Sequence, residues 1–201
     1  MPIDVRTLGR RDIRVAAGVL GRAFYDDPVA MWMIPDNDSR ARALPRAFAT
    51  LARRHFLSRG GSAVASRDGV VGGTALWDPP GQRQDSKLQK LSMLPGFIWA
   101  MGRRTARMEQ AMRLMEESHP EEPHWYLMLL GTDPTVRGAG FGQALLHSRL
   151  DRCDAEAAPA YLEASKPDLV PYYSRFGFEV TGEIKLPDGG PPMFPMWRNP
   201  R

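Results

Sequence analysis

Residues 126–146 read YLMLLGTDPTVRGAGFGQALL, a short apolar run that breaks into a glycine-rich turn and restarts as an apolar helix. The apolar block from Trp125 to Leu130 ends at Gly131 and is stopped by Asp133-Pro134, because proline lacks the amide that a sheet ladder needs. That pattern predicts a buried strand. Beyond it, Arg137, Gly138, Gly140 and Gly142 leave little side-chain bulk around the amides that open the next helix, whose Phe141, Ala144, Leu145 and Leu150 follow a helical period. The first amides of a helix lack intrahelical acceptors and sit at the positive end of its dipole. A pyrophosphate therefore fits there, with Arg137 adding charge.

Three readings compete for this turn: an ordinary strand-to-helix connection, a dinucleotide-binding fingerprint with Glu163 as its acidic partner, and an acyl-CoA-binding loop. The glycines alternate at 138, 140 and 142 instead of following G-x-G-x-x-G, and no second βαβ half follows, which argues against the dinucleotide reading. The third fits more of the residues. The segment 132–142, TDPTVRGAGFG, resembles the acyl-CoA-binding motif R/Q-x-x-G-x-G/A of the GNAT superfamily of N-acetyltransferases. Arg137, Gly140 and Gly142 stand at its fixed positions, with a proline three residues before the arginine. Downstream, residues 173–178, YSRFGF, resemble the family's second signature, a tyrosine four residues before a Gly-Phe pair. Residues 122–127, 162–165 and 171–173, with the opening 5–13, look like the puromycin N-acetyltransferase branch; the strong resemblance covers residues 122–198.

Length and composition agree with one globular unit. At 201 residues the chain is expected to form a single acetyltransferase domain over 1–201, with a helical insertion at 82–119 and an acyl-CoA-binding core at 122–178. Hydrophobic residues at 43% and charged ones at 25% are ordinary for a packed protein and argue against disorder. The one cysteine, Cys153, excludes an internal disulfide framework, fits a reducing compartment and reads as a packing thiol. No apolar run has bilayer length and Met1-Pro-Ile-Asp-Val-Arg6 has no signal-peptide character, so a cytoplasmic protein without a membrane partner is expected. The net charge of +4 comes mostly from arginines spread along amphipathic helices, not clustered with aromatics, so no nucleic-acid partner is expected.

From the start of the chain, the pattern predicts a strand at 5–8, a helix at 11–24, a break at Tyr25-Asp-Asp-Pro28 and an apolar patch at 31–34. A helix to about Leu57 should kink or divide at Pro45. Strands at 62–66 and 70–77 flank Arg67-Asp68-Gly69, a hairpin signal. Pro95-Gly96 divides two helical patterns in the insertion, the second carrying Met101, Met108, Met112 and Met115 as core filling or as an adaptable apolar pocket. Strands at 160–163, 178–185 and 193–198 follow, with a helix at 169–175. Alternating strands and helices predict an α/β (α+β) layer arrangement. The resemblance makes it the GNAT fold: a central mixed, mostly antiparallel sheet of about seven strands flanked by helices, with the insertion before the cofactor strand.

The resemblance implies attack by a neutral amine on the thioester carbonyl of acetyl-CoA, with no metal. Leu130, Gly131 and Thr132 then hold pantetheine through the backbone. The amides of Arg137, Gly138, Ala139, Gly140, Phe141, Gly142 and Gln143 take the pyrophosphate, and a backbone N–H near Leu130 polarises the carbonyl. Tyr173 is the expected general acid, since a phenol is protonated at neutral pH. Tyr126 stands where some family members carry a glutamate base. His124, on the same strand face as Tyr126, and Glu163 are left as the two candidates. His55, His119 and His147 show no partner pattern, and no His/Cys/Asp/Glu spacing suggests a metal site. Leu169 replaces an asparagine that puromycin-type chains place near the cofactor. The resemblance also implies a small amine-bearing, partly aromatic acceptor, with Trp32, Trp77, Trp99 and the methionines as walls and Asp26, Asp27 and Asp36 as attractors of its charge. Acetylation of protein or peptide amines and a non-catalytic acyl-CoA sensor are the alternatives. A homodimer through the last strand or the insertion remains open.

Overall fold

In the computed structural model, which describes residues 2–82, 87–101 and 105–201, one mixed sheet carries the chain. β1 (Asp4–Thr7), β2 (Ala63–Arg67), β3 (Val70–Asp78), β4 (Trp125–Thr132) and β5 (Ala160–Ala164) lie side by side in that order. β8 (Pro192–Arg198) follows β5, and the short β6 (Glu179–Val180) and β7 (Ile184–Lys185) both pair with β8. Among the described residues only the β4–β5 pair is parallel. The helices are α1 (Ile13–Ala23), α2 (Pro28–Met33), α3 (Asn37–Leu51), α4 (Lys87–Met101), α5 (Thr105–Glu117), α6 (Phe141–Ala155) and α7 (Val170–Ser174). The expected mixed, mostly antiparallel sheet between helices is therefore present, with eight strands where about seven were expected.

The two sheet faces bury separate cores, as strand alternation requires. On one, Phe141, Leu145, Leu146 and Leu150 of α6 pack on Ala75, Trp77, Trp125, Leu127 and Leu162. On the other, Ile13, Ala16 and Leu20 of α1 pack with Leu51 and Phe56 on Val64 and Leu76. Close approach explains two glycines of β3: a Cβ at Gly72 would lie 2.8 Å from the Phe141 ring, and one at Gly73 3.0 Å from Leu145. The β2–β3 hairpin closes through Asp68 and Gly69, both at positive φ (53° and 78°), the conformation a tight two-residue connection needs.

Several boundaries differ from the sequence expectation for identifiable reasons. The patch at 31–34 belongs to α2, which Asp27 caps through Val29 N and Ala30 N, with Pro28 in the first helical position. α3 runs unbroken through Pro45, and Gly21 of α1 leaves the room, since a Cβ there would stand 2.5 Å from Pro45 Cγ. α4 likewise passes through Pro95-Gly96, with Gly96 set against Thr50, so the insertion is not divided there. The break between α4 and α5, and the side chain of Met101, lie outside the described residues. The expected strand at 178–185 is two short strands. Thr181, Gly182 and Glu183 stand opposite only Phe194 and Pro195, and Thr181 N–H donates to the Pro195 carbonyl instead of continuing the ladder.

Candidate active site

The parallel pair opens a cleft. β4 and β5 are in register at Trp125/Ala160, Tyr126/Tyr161 and Leu127/Leu162, after which β4 continues to Thr132 without β5 beside it. A cleft of about 410 Å³ occupies the gap and is lined by Leu127 to Thr132, Arg137, Glu163, Ser165, Lys166, Leu169 and Tyr173. One interruption falls on its wall. Leu76 pairs with Leu129 and Trp77 with Leu127, so Met128 is an extra residue on β4 whose backbone leaves the ladder.

The glycine-rich loop closes the cofactor end. Asp133 shapes its start: it accepts from Thr135 N and Oγ1 and from Arg22 Nε and Nη2. Burial pushes the Asp133 carboxyl upward, but these hydrogen bonds outweigh it and hold the group below the usual range. The amides of Arg137 and Ala139 close turns on Pro134 O and Val136 O, and Arg67 Nη2 donates to Ala139 O. Since the first helical bond of α6 is Ala144 N–H to Gly140 O, the amides of Phe141, Gly142 and Gln143 point beyond the helix. Gly138 (φ 82°) and Gly140 (φ 94°) are left-handed, and a Cβ at Gly138 would meet nothing within 4 Å. An open ring of amides beside Arg137 fits the pyrophosphate of CoA. Of the seven amides expected to bind it, those of Arg137 and Ala139 are already committed to the turn.

Tyr173 is buried against Phe178 and reaches the cleft from α7. Burial, with Tyr172 and Asp27 nearby, pushes its phenol above the ordinary tyrosine value, so it holds its proton at neutral pH. Glu163, on β5, lines the same cleft. The carboxylate that Tyr126 lacks on β4 is supplied across the parallel pair: Tyr126 Oη donates to Glu163 Oε2 at 2.8 Å. Glu163 Oε1 is buried without a hydrogen bond and lies 3.7 Å from His119 Nδ1.

His119 and His124 extend this group, His124 standing behind His119 with its Nε2 2.9 Å from His119 Nε2 and its Nδ1 on the Glu122 carbonyl. A carbonyl carries no proton, so His124 Nδ1 donates; a neutral His124 then accepts at Nε2 from His119. This leaves His119 Nδ1 as the ring nitrogen without the proton, facing Glu163 Oε1. Sequence reasoning found no pattern for His119 because its partners are separated along the chain and meet only when α5 ends beside β4 and β5.

Asp27 is the second residue whose position was not legible. Oδ1 caps α2, Oδ2 accepts from Ser165 Oγ, and burial raises its carboxyl above the usual aspartate range. It lines the cleft, whereas Asp36 caps α3 and Asp26 is exposed. The expected tryptophan walls are corrected too. Trp77 is core beneath α6, Trp32 packs with Ile184 and Met193, and Trp99 is 64% exposed beneath Arg46. Phe24, Phe48, Phe97, Met108, Met112 and Met115 line the cleft instead. Cys153 is fully buried and its thiol is pushed up to about 12 by burial, which removes it as a nucleophile.

A parallel pair splayed around a cleft, with a glycine-rich amide loop at one end and a buried phenol beside it, defines an acyl-CoA-dependent transferase. The comparisons agree. Residues 111–198 match the family model described as acetyltransferase (GNAT) domain. A crystal structure from Corynebacterium glutamicum, described as histone acetyltransferase HPA2 and related acetyltransferase, is 30% identical at a TM-score of 0.77, covering 100% of this chain and 98% of that one. An uncharacterized N-acetyltransferase of Schizosaccharomyces pombe is 26% identical over 191 residues, 88% of this chain and 74% of that protein. A Drosophila melanogaster polyamine N-acetyltransferase that forms N-acetylagmatine shares the fold at a TM-score of 0.65 and 13% identity, covering 98% of this chain and 100% of that one. The chain belongs to the GNAT family and is an acetyl-CoA-dependent acyltransferase.

Proposed function

We propose that the chain acetylates the primary amine of a small molecule by direct attack within one ternary complex, with Tyr173 protonating the departing thiolate. The observation that carries this reading is that Tyr173, Glu163, Asp27 and the glycine-rich loop's Arg137 line one cleft. Acetyl-CoA supplies the acyl group as an activated thioester. The backbone of Leu130, Gly131 and Thr132 holds pantetheine, and the amides of Gly138, Gly140, Phe141, Gly142 and Gln143 take the pyrophosphate beside Arg137. A backbone N–H near Leu130, two residues past the register break at Met128, polarises the carbonyl, a contribution of about 3 kcal/mol in comparable sites. Glu163 receives the proton of the incoming ammonium and shares it with His119, and His124 fixes the tautomer behind them. Tyr173 donates from the other side, to a thiolate that the same burial makes more basic. Lys166, beside Leu169 on the cleft wall, takes the place of the asparagine that Leu169 replaces.

The likeness to the puromycin branch and to the polyamine enzyme supports a small amine. The second reading, a protein or peptide amine, is favoured by the description of the Corynebacterium relative. Tyr173→Phe tests the assignment. Turnover should fall by roughly two to four orders of magnitude, while the acetyl-CoA dissociation constant measured by calorimetry stays within about twofold. Unchanged turnover, or a loss explained by weaker acetyl-CoA binding, would remove Tyr173 from the chemistry.

A further inference from the structure

The lining of the cleft divides into a charged and polar set and an apolar set. Arg137, on the glycine-rich loop, and Lys166, just after β5, are its cations. Asp27, Ser165, Glu163 and Tyr173 line it too: Ser165, one residue past the end of β5 and two from Glu163, donates to Asp27. Glu163 Oε1 is buried without a hydrogen-bond donor, in a side chain only 2% exposed. The described wall from α1, α3, α4 and α5 is hydrocarbon, aromatic ring and thioether: Phe24, Phe48, Phe97, Met108, Met112 and Met115. Phe24 and Phe48 meet edge to face at 5.6 Å, and Phe24 stands where a Cβ on Gly131 would touch it, so the apolar wall begins opposite the strand that holds the cofactor.

Resting on the acetyl-transfer reading above, we infer that the acceptor is an amphiphilic monoamine, a primary amine on an aryl or alkyl tail. The ammonium enters between Asp27 and Glu163, and Oε1 of Glu163 gains the donor it lacks. The tail displaces water from the Phe and Met wall. Thioethers and rings conform to a tail of varied shape, which favours a class of lipophilic amines over one compound. A polyamine would carry its second ammonium into this wall, where the charge is desolvated without a partner.

The test is acetyl-CoA-dependent thiol release for linear monoamines from propylamine to hexylamine and for phenethylamine. 1,6-Diaminohexane, spermidine and a lysine peptide complete the panel, and binding of acetyl-CoA is measured separately. kcat/KM should rise roughly three- to fourfold per methylene, and hexylamine should exceed 1,6-diaminohexane by about tenfold or more. Met112→Glu, at a half-exposed wall position, should reverse that order, lowering hexylamine and raising the diamine. A faster diamine, spermidine or peptide in the unsubstituted protein overturns the inference and leaves acetyl transfer standing. Bound acetyl-CoA with no amine turned over overturns the acetyl-transfer reading and the inference with it.

Discussion

Asp27 does two jobs that one substitution separates. Its Oδ1 caps α2, which an amide can do equally well, and its buried charge faces Ser165 and the cleft. Because the folded carboxyl is raised above its unfolded value by burial, the folded state binds the proton more tightly. That contribution is present at low pH and is lost as the pH rises from the ordinary aspartate value through the folded one. At neutral pH the ionised group therefore costs stability. Asp27→Asn should raise the melting temperature at pH 7, and the gain should shrink as the pH drops below the aspartate range, while kcat/KM for the amine falls tenfold or more by the loss of a buried charge opposite the ammonium. A melting temperature that falls at pH 7 would show that the charge is compensated in the fold. The residue was legible as an acid in a loop, but nothing in Tyr25-Asp-Asp-Pro28 separates Asp26, which is exposed, from Asp27, which is buried; only the fold brings Ser165 to one of them. Tyr173, by contrast, was legible from its distance to Gly177-Phe178, because a short local spacing on one helix and turn survives in the sequence.

The strand–loop–helix element was the most readable part of the chain, since the apolar block, the proline stop and the glycines are consecutive. Its glycines need not be equivalent. Gly140 sits at φ 94° at the start of α6, and Gly69 at φ 78° in the distant hairpin. Alanine in either left-handed site costs about 1–2 kcal/mol of stability. Gly140→Ala should also weaken acetyl-CoA binding by about tenfold, because it shifts the amides that open the helix, whereas Gly69→Ala should leave that constant unchanged. Equal effects on binding from the two substitutions would mean that the loop's geometry is not what holds the cofactor. Elements less faithful to local rules were misread where packing overrode them. α3 and α4 run on through Pro45 and Pro95, with Gly21 leaving room for Pro45 against α1 and Gly96 set against Thr50 of α3. The methionine face was readable as apolar, but not which residues reach the cleft; Met108, Met112 and Met115 do, and the three tryptophans expected beside them do not.

At the scale of the molecule, the proposed chemistry rests on one topological feature, the parallel pair that stands alone among the described strands of an otherwise antiparallel sheet. β4 and β5 are paired only as far as Leu127 and Leu162, and the cleft lies where β4 runs on without β5 beside it. The amide loop lies at the end of β4, the carboxylate Glu163 lies on β5 and α7 brings Tyr173 in beside them. The order of strands and helices could be read from periodicity and turns, and with it the fold. The His119–Glu163–Tyr126 contacts could not, because they join residues from three elements whose proximity exists only after the sheet has formed. The direct transfer proposed above needs acetyl-CoA and amine bound together, and the buried Cys153 thiol is not available as an intermediate acyl acceptor. Initial-rate kinetics with both substrates varied test that requirement most directly. Intersecting reciprocal plots, with no acetylated protein detected by mass spectrometry after incubation with acetyl-CoA alone, are predicted; parallel plots together with an acetyl-enzyme would contradict direct transfer in the cleft.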